Sequence, residues 1–196
     1  MHARIFGFFL IAAAATAQAQ TPPPGPAASP PPSPQESTVL AVADANFVKQ
    51  ALRDGLAEVE LGRLAAEKAS NPAVREFAQH MVADHSKANG ELAELAQQMN
   101  LQPAPAANPE QAKLREQLEQ LTGDAFDRAY MESQVKEHLK AVQLFERHSS
   151  AGGDKNIRAF AAAKLPVLQQ HLEQAKRVAG VVGKQARATV RSTIAA

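Results

Sequence analysis

Between Val74 and Met99 the inward positions recur in steps of three or four: Val74, Ala78, Met81, His85, Ala88, Leu92, Ala96 and Met99. The opposite face carries Arg75, Glu76, Lys87, Glu91 and Glu94. A row of this period is the stripe of one long amphipathic α-helix and does not fit the two-residue alternation of a strand. Such a helix has one face to bury, and it needs other helices of similar length to bury it against.

Three more segments supply them. The first is expected from Asp44, as N-cap, to about Ser70, with Phe47, Ala51, Gly55, Glu58, Gly62, Ala65 and Ala69 on one row beside Val48, Leu52, Val59 and Ala66. Asn71 and Pro72 end that helix and open the next, because a first-turn proline lacks an N–H that the helix would not use. Asn100 is placed to close the second helix, and Pro103, Pro105 and Pro109 prevent its continuation. A shorter helical stretch, Glu110–Leu121, leads to a third long helix from about Asp124 to Ser149, with Phe126, Met131, Val135, His138, Val142 and Phe145 inward.

After the turn at Ser150–Gly153, a fourth helix places Ile157, Ala161, Leu165, Leu168, Leu172, Ala175 and Ala179 inward. Pro166 removes one backbone bond from it and is expected to kink or split it. The expected architecture is all-α: a four-helix bundle with a short extra helix in the connection between helices two and three. Both an up-down-up-down path and a crossover along the bundle satisfy that connection.

The ends differ from the centre. Arg4, the apolar run Ile5–Ala15 and the small-x-small Ala17-Gln18-Ala19 form a signal-peptide pattern over residues 1–19, with cleavage after Ala19. Residues 20–43 contain the proline-rich stretch Thr21–Ser37 and are expected to be a disordered linker. The bundle domain is expected over 44–179. Residues 180–196, with Lys184, Arg187 and Arg191 and no acid, are expected to be a flexible basic tail. The expected location is periplasmic or secreted, with association to the envelope. Removing Arg4 with the leader leaves equal numbers of acidic and basic residues, which argues against nucleic acid as a partner. Envelope components or self-association are the expected partners, and after cleavage no segment reads as an integral membrane span.

The absence of cysteine rules out disulfides, thiolate nucleophiles and thiolate metal sites. Chemistry must therefore come from the histidines. His80 and His148 flank the apolar rows and are expected to be wet; His85 and His138 lie at the centres of their stripes, and His171 at the edge of its own. Glu58 interrupts the first helix's small-residue row, although Glu60 is only one step of helix face away. Counted from the inter-helix turns, Glu58, His85, His138 and His171 each fall about 20 Å along the bundle, near mid-height.

One carboxylate and three imidazoles in one layer admit three readings. In the first, they form a hydrogen-bonded polar layer, with Glu58 accepting one histidine N–H, that fixes helix register. In the second, His85, His138, His171 and Glu58 bind a divalent transition metal, although nothing in the sequence requires one. In the third, the histidines respond to pH. The polar layer ranks first and the metal second. Val82, Val135 and Leu168 stand three residues before the histidines, so the paired Glu-x-x-His of di-iron bundles is missing. No catalytic residue or organic cofactor is indicated, and an enzymatic role is not expected.

The segments Phe47–Asn89, Phe126–Glu146 and Lys164–Lys176 resemble the bacterial exported domain-of-unknown-function family 4142. The resemblance implies a ferritin-like four-helix fold, a signal peptide and a label of predicted outer-membrane protein. The family's motifs map onto Glu58, Glu60, His85, His138 and His171. The functional expectation is a binding or structural module of the cell envelope, with stress tolerance as an association, and a metal-binding protein is the alternative.

Overall fold

The computed structural model describes residues 34–101 and 108–194, with side chains over 41–101 and 108–187. The expected signal peptide, and the linker up to residue 33, lie outside the described residues. Five helices follow in order: α1 Pro34–Lys68, α2 Pro72–Gln98, α3 Pro109–Glu119, α4 Gly123–Ala151 and α5 Lys155–Ile194. Among the described residues there is no strand.

The ends of α2 and α3 follow local chemistry. Asn71 caps α2 by accepting the Ala73 N–H at 2.8 Å, with Pro72 in the first turn. Its other end closes on Asn100, whose φ of 53° is the left-handed conformation asparagine tolerates. There Asn100 N donates to Gln97 O and Leu101 N to Ala96 O, the paired bonds of a Schellman stop. Helix α3 opens with a reciprocal capping box between Asn108 and Gln111.

Three expectations about helix bounds are corrected. Helix α1 begins at Pro34, so Asp44 lies within it and does not cap it. Asp44 instead points inward, 1% exposed, and accepts the backbone N–H groups of Gly153 and Asp154 at 3.1 and 2.7 Å. Helix α5 continues past Gly180, because Val182 and Ala186 still bury their side chains beyond it. Nor does Pro166 split α5: the stripe Ile157, Ala161, Leu168, Leu172 and Ala175 is buried on both sides of it. That burial outweighs the roughly 3 kcal/mol an interior proline costs.

The path is set by two buried aspartates. Asp44, near the start of α1, holds the α4–α5 turn; Asp127, near the start of α4, accepts from Ser70 N and Asn71 N and so holds the α1–α2 turn. Helices α1 and α4 are therefore antiparallel, and α2 ends at the opposite end of the bundle from the start of α4. The connection containing α3 crosses the length of the bundle, which resolves the open topology as the ferritin-like crossover form.

The two hairpins also repeat one another at a constant offset of 83 residues. Asp44 and Asp127, Ser70 and Gly153, and Asn71 and Asp154 occupy matched positions. Arg75 donates to Ala69 O as Arg158 donates to Gly152 O, and Asn71 caps Ala73 N as Asp154 caps Asn156 N. The pairs Phe77/Phe160 and Val74/Ile157 are buried equivalents.

The apolar core divides into two clusters. One contains Phe47, Leu52, Leu92, Phe145, Ile157 and Phe160, at the end of the α4–α5 turn. The other contains Ala65, Val74, Phe77, Met81, Phe126 and Met131, toward the α1–α2 turn. Gly62 lets α1 and α2 approach closely, since a Cβ there would lie 2.9 Å from Val82 Cγ2 and 3.1 Å from Ala78 O. Among the described residues no helix is long and apolar enough to cross a membrane.

Candidate metal centre

Between the two apolar clusters, α2, α4 and α5 each present one histidine. His85 follows Met81 by one turn, His138 precedes Val142 by one turn, and His171 stands between Leu168 and Ala175. Their rings form a near-equilateral triangle, with centroids 5.6 Å apart for His85–His138, 5.5 Å for His85–His171 and 5.4 Å for His138–His171. Each ring offers a nitrogen within 4.8 Å of the other two.

Hydrogen bonds outside the triangle orient two of the rings. The Nδ1 of His138 lies 3.0 Å from Gln134 O, an acceptor only, so Nδ1 carries the proton and donates. The Nε2 of His171 lies 2.9 Å from Asp84 Oδ2 and donates to that carboxylate. The ring nitrogens left outside those bonds are His138 Nε2 and His171 Nδ1. Those two atoms and His85 Nε2 are sealed from solvent and have no protein partner.

Burial disfavours the charged form of His85 and of His171. His85 is pushed down to about 3, first by loss of solvent and then by repulsion from His138 and His171. His171 is lowered by burial, against the opposing effect of its hydrogen bond to Asp84. Three buried, unpartnered ring nitrogens are costly for a folded chain to keep.

Glu58, not Glu60, faces the core: Glu58 is 7% exposed, whereas Glu60 lies on the surface 3.5 Å from Arg115 Nη1. Its Oε2 accepts the Gln134 Nε2 amide at 2.7 Å, and no histidine bond to it is found among the described residues. Burial raises its carboxyl above the usual range, partly offset by His138 and Gln134. The same carboxylate helps burial raise the Tyr130 hydroxyl, which is buried without a partner. Glu58 therefore stands behind His138 through Gln134 and is outside the group of three ring nitrogens.

Of the flanking histidines, His80 is exposed as expected. His148 is not. It is 8% exposed, stacks on Phe47 at 4.0 Å between centroids, and brings Nε2 to 2.7 Å from Asp44 Oδ1. Its helix-face position was intermediate, and the inward Asp44 that draws it in lies on another helix. Asp84 and Gln134 were also missed. Gln134 sits three residues after Met131 and four before His138, a spacing that marks it as inward. Asp84 had no local signal, because only the packing of α5 on α2 gives it a partner.

The donor set fits a metal ion. Imidazoles at about 2.0–2.1 Å from one ion lie about 3.4–3.6 Å from each other, and the ring nitrogens here lie within 4.8 Å of one another, so any closure needed is at most about 1.4 Å. Side-chain rotation supplies movements of that size without a change of fold.

The family model described as domain of unknown function (DUF4142) matches residues 29–178. No curated protein sequence matches the chain. Several solved structures share the fold. A DUF305 fragment from Deinococcus radiodurans is 16% identical with a TM-score of 0.63, covering 79% of this chain and 99% of its own. CopM in the Cu(I)-bound form is 17% identical with a TM-score of 0.59, covering 68% of this chain and 93% of its own. A putative secreted DUF305 protein from Streptomyces coelicolor is 13% identical with a TM-score of 0.63, covering 72% and 92%.

Proposed function

The chain belongs to the DUF4142 family, and we propose that it is an exported protein that binds one copper-class transition-metal ion through His85, His138 and His171. The observation that carries this is the set of three buried ring nitrogens that face one another and find no protein partner. A polar layer built for register would be expected to pair those atoms with each other or with Glu58, and Glu58 is instead engaged by Gln134.

Imidazole suits copper, zinc, iron and nickel, and the lack of carboxylate in the triad disfavours the harder magnesium, calcium and manganese. CopM, which shares the fold, has been seen in Cu(I)-, Cu(II)- and Ag-bound forms, which agrees with that choice. When bound, the ion would supply Lewis acidity or a store of metal; the chain's own residues do the orienting. Gln134 O fixes the His138 tautomer, and Asp84 fixes His171 and raises its basicity. Asp84 also brings a negative charge to one side of a site that would gain positive charge.

Metal analysis of the purified full chain, after exposure to copper and removal of the excess, tests the reading. About one ion per chain is expected, with loss in His138→Ala. A chain that retains only background copper overturns it.

A further inference from the structure

The facing ring nitrogens are sealed from solvent as they stand, yet their three residues border open space. His85, His138 and His171 all line a cavity of about 870 Å³ that runs between α1 and α4 and beneath α3. The 83-residue repeat relates the triad to a second set of positions along this cavity. The positions matched to His138, His171 and His85 are Gly55, Ala88 and Leu168, and all three line the same cavity. No second set of imidazoles stands at those positions: the Asn89 side chain packs directly against Gly55, and Ala88 carries only a methyl group. Among the described residues, no fourth side chain joins the three ring nitrogens.

Resting on the proposed metal reading, we infer that this cavity binds a small organic molecule whose nitrogen donor completes the coordination begun by His85, His138 and His171. A space of this size is within the range that holds a drug-sized ligand. Its charged lining is balanced: Arg53 and five lysines stand against six carboxylates. A ligand with net charge of either sign gains little from such a lining, whereas a neutral or zwitterionic one is matched. The apolar patches at Leu61, Leu114, Leu144 and Phe160 suit a ring or hydrocarbon body. An amine or imidazole donor is of the same chemical kind as the three ligands already in place.

Imidazole is the probe. The full chain is loaded with Cu(II), titrated with imidazole and followed by electron paramagnetic resonance, with copper per chain measured after desalting. The expected result is a saturable change to a spectrum with one additional nitrogen while one copper is retained. Ala88→Leu and Ala141→Leu, which add volume inside the cavity, should each raise the imidazole concentration at half-saturation at least tenfold. A copper-loaded chain whose spectrum ignores imidazole, or which loses its copper to it, overturns the inference and leaves the triad reading standing. Unchanged imidazole binding in both leucine variants overturns it as well. A chain that takes up no copper at all overturns both.

Discussion

Asp84 reaches from α2 to α5 and holds His171 by a 2.9 Å hydrogen bond from Nε2, turning that ring's Nδ1 toward His85 and His138. The aspartate itself is half-exposed while the histidine is buried, so the pair joins solvent to the triad. Asp84→Ala should weaken copper binding about 10- to 100-fold through loss of ring orientation and basicity. Because Asp84 is so exposed, unfolding in urea should barely change. Competition titration against a chelator of known affinity measures the first, and a large loss of stability would show that the pair serves the fold instead.

The triad's unpartnered nitrogens give a second prediction, of opposite sign to that of a structural polar layer. His85→Leu removes one buried, unsatisfied atom and replaces it with apolar volume. The metal-free variant should be as stable as the parent or more stable, by up to about 1 kcal/mol. A register-fixing layer would instead lose about 1–3 kcal/mol on the same change. Urea unfolding of the metal-free chains reads the difference.

Acid should destabilise the metal-free chain through the same residues. His85 titrates near 6.5 in the unfolded chain and near 3 in the fold, and His171 is displaced in the same direction. Between those values the unfolded state binds more protons, so stability is complete above pH 6.5 and is lost as pH falls toward 3. His85 alone accounts for a loss on the order of 3 kcal/mol by pH 4. Chemical unfolding at pH 4 and pH 7 should show this difference, and His85→Leu should reduce it. A parent chain equally stable at both values would contradict the buried neutral state of the ring.

The two turn-holding aspartates should be far more sensitive than their surface-like chemistry suggests. Asp127→Ala strands the N–H groups of Ser70 and Asn71, and should cost about 1–3 kcal/mol. Asp44→Ala strands those of Gly153 and Asp154 and also removes the acceptor beside His148, so its cost should be the greater. Thermal or urea unfolding of the two variants ranks them, and near-parent stability in both would contradict their role in joining the hairpins.

Local pattern made much of this visible from the sequence. The inward row of α2, the Asn71-Pro72 junction and the Asn100 stop depend on chemistry within a few residues, and they read correctly. Counting turns also placed His85, His138 and His171 at one level, because helix rise is nearly invariant. The failures involve partners distant in sequence. Asp44 resembles an N-cap, and only the α4–α5 turn, more than a hundred residues away, gives it a different use. His148 follows Asp44 and Phe47 inward for the same reason. The continuation of α5 past Gly180 needed knowledge of the surface on which Val182 and Ala186 pack. Glu58 was readable as inward, but its bond to Gln134 required the facing of α1 and α4.

X-ray absorption on the copper-loaded chain, with no small ligand added, tests the central claim most directly. Three imidazole nitrogens at about 2.0 Å should surround the metal, and one should disappear from the average in His85→Ala. A shell of oxygen atoms, or a nitrogen count unaffected by substituting His85, His138 or His171, would show that the copper sits elsewhere and that the three rings are not its ligands.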